Sequence, residues 1–317
     1  MLPKSRGTLS AAVFNALQSG ATAGLEPVPE SEEDAQVTMW ALYELHYRGF
    51  DDVDPDLEWD ADLLRVRRGL ERSFEAELRR RWEQSPLSQD REPGLSGLSG
   101  LTGLIDGHDG PSLARFVQRK ADREQVLEIL RHRSLYHLKE ADPTSWVVPR
   151  LDTRPKAALM EILFDEYGDG DPNRLHHHLF RRGLEAAGLR TDHAGYVDEA
   201  PVEILAMNNA LSLFGLHRRL RGAALGHFAA FESTSSVPSR QLAQGLRRLE
   251  FPEEMAAYYD EHVEADAVHE QVAIRDACGT FLDDEPNERD QVLLGAFTCL
   301  DLEARYAEAM LTRWGVS

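Results

Sequence analysis

The chain has 317 residues, 42% hydrophobic and 28% charged, which is enough to bury a substantial core. Its formal net charge of −20 leaves no basic surplus to offset phosphates, so neither a nucleic-acid partner nor docking on an anionic membrane is expected. The two cysteines, Cys278 and Cys299, form no CxxC pair, which disfavours a disulfide framework, an iron–sulfur cluster and a thiolate zinc site; any metal must be held by histidine and carboxylate.

In chain order, Leu9–Gln18 reads as a short helix followed by a polar, acidic lead, EPVPESEEDAQ. From Thr38 to about Trp82 the pattern is helical with an acidic break, DDVDPDLEWDAD, and the stretch LLRVRRGLERSFEAELRRRW places apolar residues at every third or fourth position. The repeat GLSGLSGLTGLIDG (94–107) carries too much Gly and Ser for a stable helix and reads as a loop, a linker rather than a flap. Beyond Pro111 helical patterns cover 112–140, 155–167, 173–188, 201–236, 239–248, 252–283 and 287–314, with Pro155, Pro201, Pro252 and Pro286 near the expected helix starts. Nothing alternates with period two. The expectation is an all-α protein, with residues 1–110 a helical extension plus linker and 111–317 the helical domain that carries the chemistry. No stretch approaches 18 consecutive apolar residues, so a cytoplasmic protein is expected.

The sharpest constellation is HVEADAVHEQVA, with His262, Asp266 and His269 at i, i+4 and i+7. At about 100° per residue they share an arc of roughly 60° on one helix face. Such a stripe is what helical bundles use to hold a metal between facing helices, and imidazole with carboxylate suits iron, manganese or zinc. A solvated face is the plainer alternative, since Glu261, Glu264 and Glu270 lie in the same segment. In AALGHFAAFESTSS, Glu232 follows an apolar run, where a carboxylate is costly unless paired or bound to a cation. The segment ALMEILFDEYGDGDPNRLHHHLF offers Glu161, Asp165 and Glu166, then a Gly/Asp/Pro break, then His176, His177 and His178; consecutive helical residues point about 100° apart, so one or two of the three can face a common site. His137 and Glu140, at i and i+3, form a weaker candidate pair. Arg218, Arg219, Arg221, Tyr258 and Tyr259 are candidate substrate contacts, with structural roles favoured for each.

Taken together and in order, HLKEADP, EILFDEYGDG, the His176 segment, LHRRLRGAALGHFAAFESTSS and HVEADAVHEQ resemble the haem-oxygenase-like di-iron oxidase and oxygenase family, from about Ser134 to Trp314. The resemblance implies a helical bundle that holds two irons, with O2 as cosubstrate. The metal ligands it implies are Glu166, His176, Glu232, His262, Asp266 and His269, with Glu140 matching an additional glutamate used by amine N-oxygenases of the family. Glu166, Glu232 and Asp266 would be the carboxylates that serve the reaction; with Glu140 their charges balance two Fe(II) ions in a buried site. The implied function is oxidation of a small-molecule substrate, with N-oxygenation of an amine favoured over oxidative C–C cleavage of a fatty or amino acid. An external electron donor and a homodimer are compatible with it. A non-catalytic helical scaffold is the competing reading, and it expects negligible iron affinity.

Overall fold

A computed structural model describes residues 1–89 and 97–316, and within them all side chains except those of residues 89, 97, 264 and 266–268. The described residues form an all-α structure, as expected, and contain no strand. The main helices are α1 (Thr8–Ser19), α2 (Glu32–Glu44), α3 (Ala61–Gln84), α4 (Gly97–Asp106), α5 (Leu113–Arg119), α6 (Arg123–His137), α7 (Thr153–Glu166), α8 (His176–Ala186), α9 (Val202–Leu216), α10 (Arg221–Arg248), α11 (Glu253–Gln271) and α12 (Arg289–Arg313). None of them is long and apolar enough to cross a membrane.

The acidic break between α2 and α3 consists largely of capping groups. Asp54 accepts from the Asp56 N–H, and Asp60 accepts from the N–H groups of Asp62 and Leu63, which satisfies the orphan donors that open α3. The N-terminus of α1 is instead capped from α2, because the buried Asp34 carboxylate accepts from the N–H groups of Leu9 and Ser10 at 3.1 and 2.8 Å.

Three expectations change. The Gly/Ser/Leu repeat is helical over Gly97–Asp106, while its beginning lies outside the described residues. Leu101 and Leu104 are buried, and α4 packs on α12, so an apolar stripe at i, i+3 outweighs the poor propensity of glycine. The pattern over 201–236 breaks at His217–Leu220, between α9 and α10. Conversely, α10 continues through Pro238 to Arg248 rather than restarting at 239.

Helix α10 runs along α12, α11 and α5. It meets α12 at two glycines, since a β-carbon on Gly226 would collide with the Val292 carbonyl and one on Gly295 with the Ala223 carbonyl. Two apolar clusters result. The larger includes Ala223–Ala230 minus their polar neighbours, together with Val272, Ala273 and much of α1, α2 and α3; the smaller includes Phe180, Ala243, Leu246, Met255, Tyr258 and Tyr259. Helix α10 contributes its first half to one and its second half to the other. Glu232, His262 and His269 fall between these stretches of sequence, so the polar site occupies the seam between the two cores.

Candidate metal centre

Helix α6 ends at His137, and the turn beyond it is tight: Ala141 lies in the left-handed region at φ 70°, a conformation that costs a non-glycine residue about 1–2 kcal/mol. Around this turn Lys139 faces α2 while Glu140 faces the seam. Between α7 and α8, Gly168, Asp169 and Gly170 all have positive φ (72°, 54° and 84°). A β-carbon on Gly168 would lie 2.6 Å from the Leu175 nitrogen, so only glycine permits the reversal that brings α8 back onto α7. As a result His176, at the first turn of α8, meets Glu166, at the last turn of α7.

Two groups of buried potential ligands follow. Glu140, Glu166, His176 and His262 bring one ligand atom each to within 4.8 Å of one another, and so do Glu166, Glu232 and His269. Glu166 belongs to both. His176 Nδ1 and Glu166 Oε2 are 3.0 Å apart, yet neither atom has an aligned hydrogen-bond partner. A buried carboxylate oxygen and imidazole nitrogen this close need a proton or a cation between them, and a metal ion held by both would meet that need. In the second group His269 Nδ1 lies 3.1 Å from Glu232 Oε2 and 3.7 Å from Glu166 Oε1.

The outer contacts orient these groups. His262 Nδ1 donates to the Tyr258 carbonyl at 2.8 Å, which turns Nε2 toward Glu140 Oε1, 3.7 Å away. Asp165 Oδ2 lies 2.9 Å from His269 Nε2, so Nδ1 is the ring atom left for the centre. A ring nitrogen held by a carbonyl or carboxylate is the usual support of a metal-binding imidazole. The Tyr258 hydroxyl donates to Glu140 Oε2 at 2.8 Å, and His137 Nδ1 lies 3.0 Å from Glu140 Oε1.

The electrostatics agree with the geometry. Burial alone would raise the Glu140 carboxyl, but the His137 and His262 imidazoles hold it well below the usual range. Burial, reinforced by the like charge of Glu166, raises Glu232 against the pull of His269. His176 is raised because Glu166 outweighs its burial, and His269, facing Glu232, Glu166 and Asp165, is pushed up to about 9. Three carboxylates converge here, and the imidazoles answer by holding protons; a divalent cation meets the same demand for positive charge. An all-nitrogen-and-oxygen set of Glu and His suits iron.

Six of the seven ligand positions expected from the sequence are therefore brought together: Glu140, Glu166, His176, Glu232, His262 and His269. The side chain of Asp266 lies outside the described residues. Of the histidine triplet, His176 is buried at the seam, whereas His177 and His178 are half-buried; Glu161 is exposed. Two of the three candidate arginines are in structural pairs, Arg219 with Glu75 and Arg221 with Glu285 and Glu288, and Arg218 is exposed. Sequence reading did not find the supporting role of Asp165 on His269, nor that of Tyr258 on Glu140, because both depend on which residue of another helix lies opposite.

Beside the first group lies a cavity of about 270 Å³, lined by Glu140, His137, Tyr258 and His262 at one end and by Phe231, Leu242 and Leu300 along its length. His108, Gly110 and Pro111, from the loop after α4, also line it.

No curated protein sequence matches the chain. Among solved structures it is similar to a CADD-like protein of unknown function from Nostoc punctiforme, seen in two crystal structures. One is 12% identical with a TM-score of 0.48, covering 77% of this chain and 95% of that one. The other is 13% identical with a TM-score of 0.41, covering 77% and 97%. The model of a family described as iron-containing redox enzymes matches residues 127–304, more than half of the chain and every residue of the two groups above. The chain belongs to this haem-oxygenase-like family of iron-containing redox enzymes.

Proposed function

We propose that the protein is a non-haem di-iron oxidase or oxygenase that uses O2 to oxidise a small metabolite. The observation that carries this reading is Glu166, one buried carboxylate common to two groups of converging ligand atoms, as a residue bridging two ions would be. One iron would be held by Glu140, Glu166, His176 and His262, the other by Glu166, Glu232 and His269, with Asp266 as a further ligand of the His262–His269 helix. Bound iron supplies the electrons that reduce dioxygen.

The chain's own residues set the conditions for that chemistry. Asp165 and the Tyr258 carbonyl fix which nitrogen His269 and His262 present. Tyr258, whose hydroxyl is kept protonated by burial and by the adjacent Glu140, donates to that carboxylate and holds it in place. The two apolar cores exclude water from the seam on both sides, and the cavity admits substrate at the Glu140–His262 end. Glu140 at the centre supports N-oxygenation over oxidative C–C cleavage, because the family resemblance gives an additional glutamate to amine N-oxygenases. Glu232→Ala should abolish iron-dependent O2 consumption, and a wild-type rate in that variant would refute the ligand assignment. With 18O2, N-oxygenation places label in the product, whereas C–C cleavage yields a product that has lost carbon.

A further inference from the structure

Beyond the metal groups, the cavity wall contains a buried ion pair with no part in holding iron. Arg133 on α6 and Glu303 on α12 meet as a two-pronged pair, with Nη1–Oε1 and Nη2–Oε2 both 2.6 Å. Both line the 270 Å³ cavity, and the pair is unequally exposed: the Glu303 side chain is 31% exposed and that of Arg133 only 19%. The guanidinium has both prongs on Glu303 and lies 4.9 Å from the centre of the Tyr306 ring. Each Glu303 oxygen, by contrast, keeps a further lone pair after accepting one bond from Arg133. Burial would raise the Glu303 carboxyl, but Arg133 holds it below the ordinary range, so it faces the cavity ionised.

The cavity lining also includes two hydroxyls that act as acceptors. The Thr234 hydroxyl donates to the Ala230 carbonyl at 2.7 Å and the Ser235 hydroxyl to the Phe231 carbonyl at 2.6 Å, so each spends its proton on α10. What these hydroxyls can offer a ligand is their lone pairs. Among the described residues lining the cavity, Arg133 is the one lysine or arginine, against the carboxylates Glu140 and Glu303. Phe231, Leu242 and Leu300 add apolar surface to a lining that also includes His108, Ser239 and Tyr259.

We infer that the cavity takes a substrate bearing a cationic amine, with its ammonium group anchored on the Glu303 carboxylate and an apolar body extending along the cavity. This rests on the oxidase reading only in taking the occupant to be the substrate. An ammonium held on Glu303 keeps its proton and has no free lone pair, so it is the recognition group. The atoms that are oxidised belong to another part of the molecule, a second nitrogen where the reaction is N-oxygenation. Arg133 keeps Glu303 ionised, and a carboxylic acid in the same place would face Glu303 with like charge.

The test is calorimetric binding of three six-carbon probes, hexylamine, hexanoate and hexanol, to the full chain, metal-free and loaded with Fe(II) under anaerobic conditions. Hexylamine should bind at least about tenfold tighter than hexanoate in both forms. Glu303→Gln should remove at least about tenfold of the hexylamine affinity and leave hexanol unchanged, and Thr234→Val should cost a few-fold. Equal binding of hexylamine and hexanoate would overturn the inference, as would hexylamine affinity untouched by Glu303→Gln. If Glu303→Gln does not fold, the wild-type preference and the Thr234→Val loss decide it. Amine-selective binding in a chain that takes up no iron would leave this inference standing and sink the di-iron reading. Iron uptake with O2 consumption but no amine preference would do the reverse.

Discussion

Two buried polar clusters lie on opposite sides of the turn after α6, and they resolve their charges in different ways. Toward α2, Glu44 lies 2.6 Å from His193 Nε2 and 3.6 Å from the ammonium of Lys139; the lysine and glutamate side chains are 2% and 1% exposed. In that cluster the Lys139 ammonium answers the Glu44 carboxylate, although Glu44 Oε2 and His193 Nδ1 have no aligned hydrogen-bond partner. Toward the seam, Glu140, Glu166 and Glu232 converge on one another and on histidines. Adjacent residues, Lys139 and Glu140, serve the two clusters. A carboxylate met by a lysine carries its own countercharge, whereas carboxylates met by one another and by histidine leave a demand that a cation can meet. Burial alone does not distinguish them.

The largest expected effect comes from the residue common to both groups. Glu166→Ala should eliminate tight binding of both irons while the chain still folds, because the metal-free protein sheds one of three facing carboxylates. Equilibrium dialysis with Fe(II) and far-UV circular dichroism would check the two halves of this expectation. On the other side of the turn the consequence inverts. Lys139→Met leaves Glu44 short of its cation and should destabilise the fold by about 3–5 kcal/mol in urea, and Glu140 should lose its position with it.

Loading the seam with Fe(II) should stabilise it, by about 2.7 kcal/mol when free iron is a hundredfold above the dissociation constant, seen as a rise in Tm. Asp165→Asn keeps every proposed ligand but weakens the support on His269, and should cost about 10–100-fold in affinity for one iron and not the other. The smallest effect is a pH dependence. The surrounding carboxylates push His269 from 6.5 up to about 9, so the stabilisation its proton provides is complete below about pH 6.5 and is lost as pH rises toward 9. Thermal stability of the metal-free chain should decline across that window. Iron binding, which must displace the proton, should tighten across it.

The helical class and the candidate residues that converge at the seam were legible because helical phase is local. His262 and His269 are two turns apart on one helix, and their spacing places them on one face without any knowledge of the rest of the chain. Glu232 stood out for the same reason, as a lone carboxylate within an apolar run of α10. Phase is lost across Gly168–Pro172, so the choice among His176, His177 and His178 needed the three left-handed residues that return α8 onto α7. Helix α4 was misread because leucines at every third residue are stabilised by packing on α12, which local propensity cannot register. The pairings of Lys139 with Glu44, of Arg133 with Glu303 and of Asp165 with His269 join residues about 95 to 170 positions apart. No spacing rule connects residues across such distances. Those pairings separate the Glu44–Lys139 cluster, the Arg133–Glu303 pair and the converging carboxylates and histidines of the seam.

The most direct test of the account is an anaerobic Fe(II) titration of the wild-type chain and of Glu166→Ala. Two irons per wild-type chain and almost none in the variant would match a centre bridged by Glu166. No uptake by the wild type at micromolar iron, or two irons retained by the variant, would contradict it.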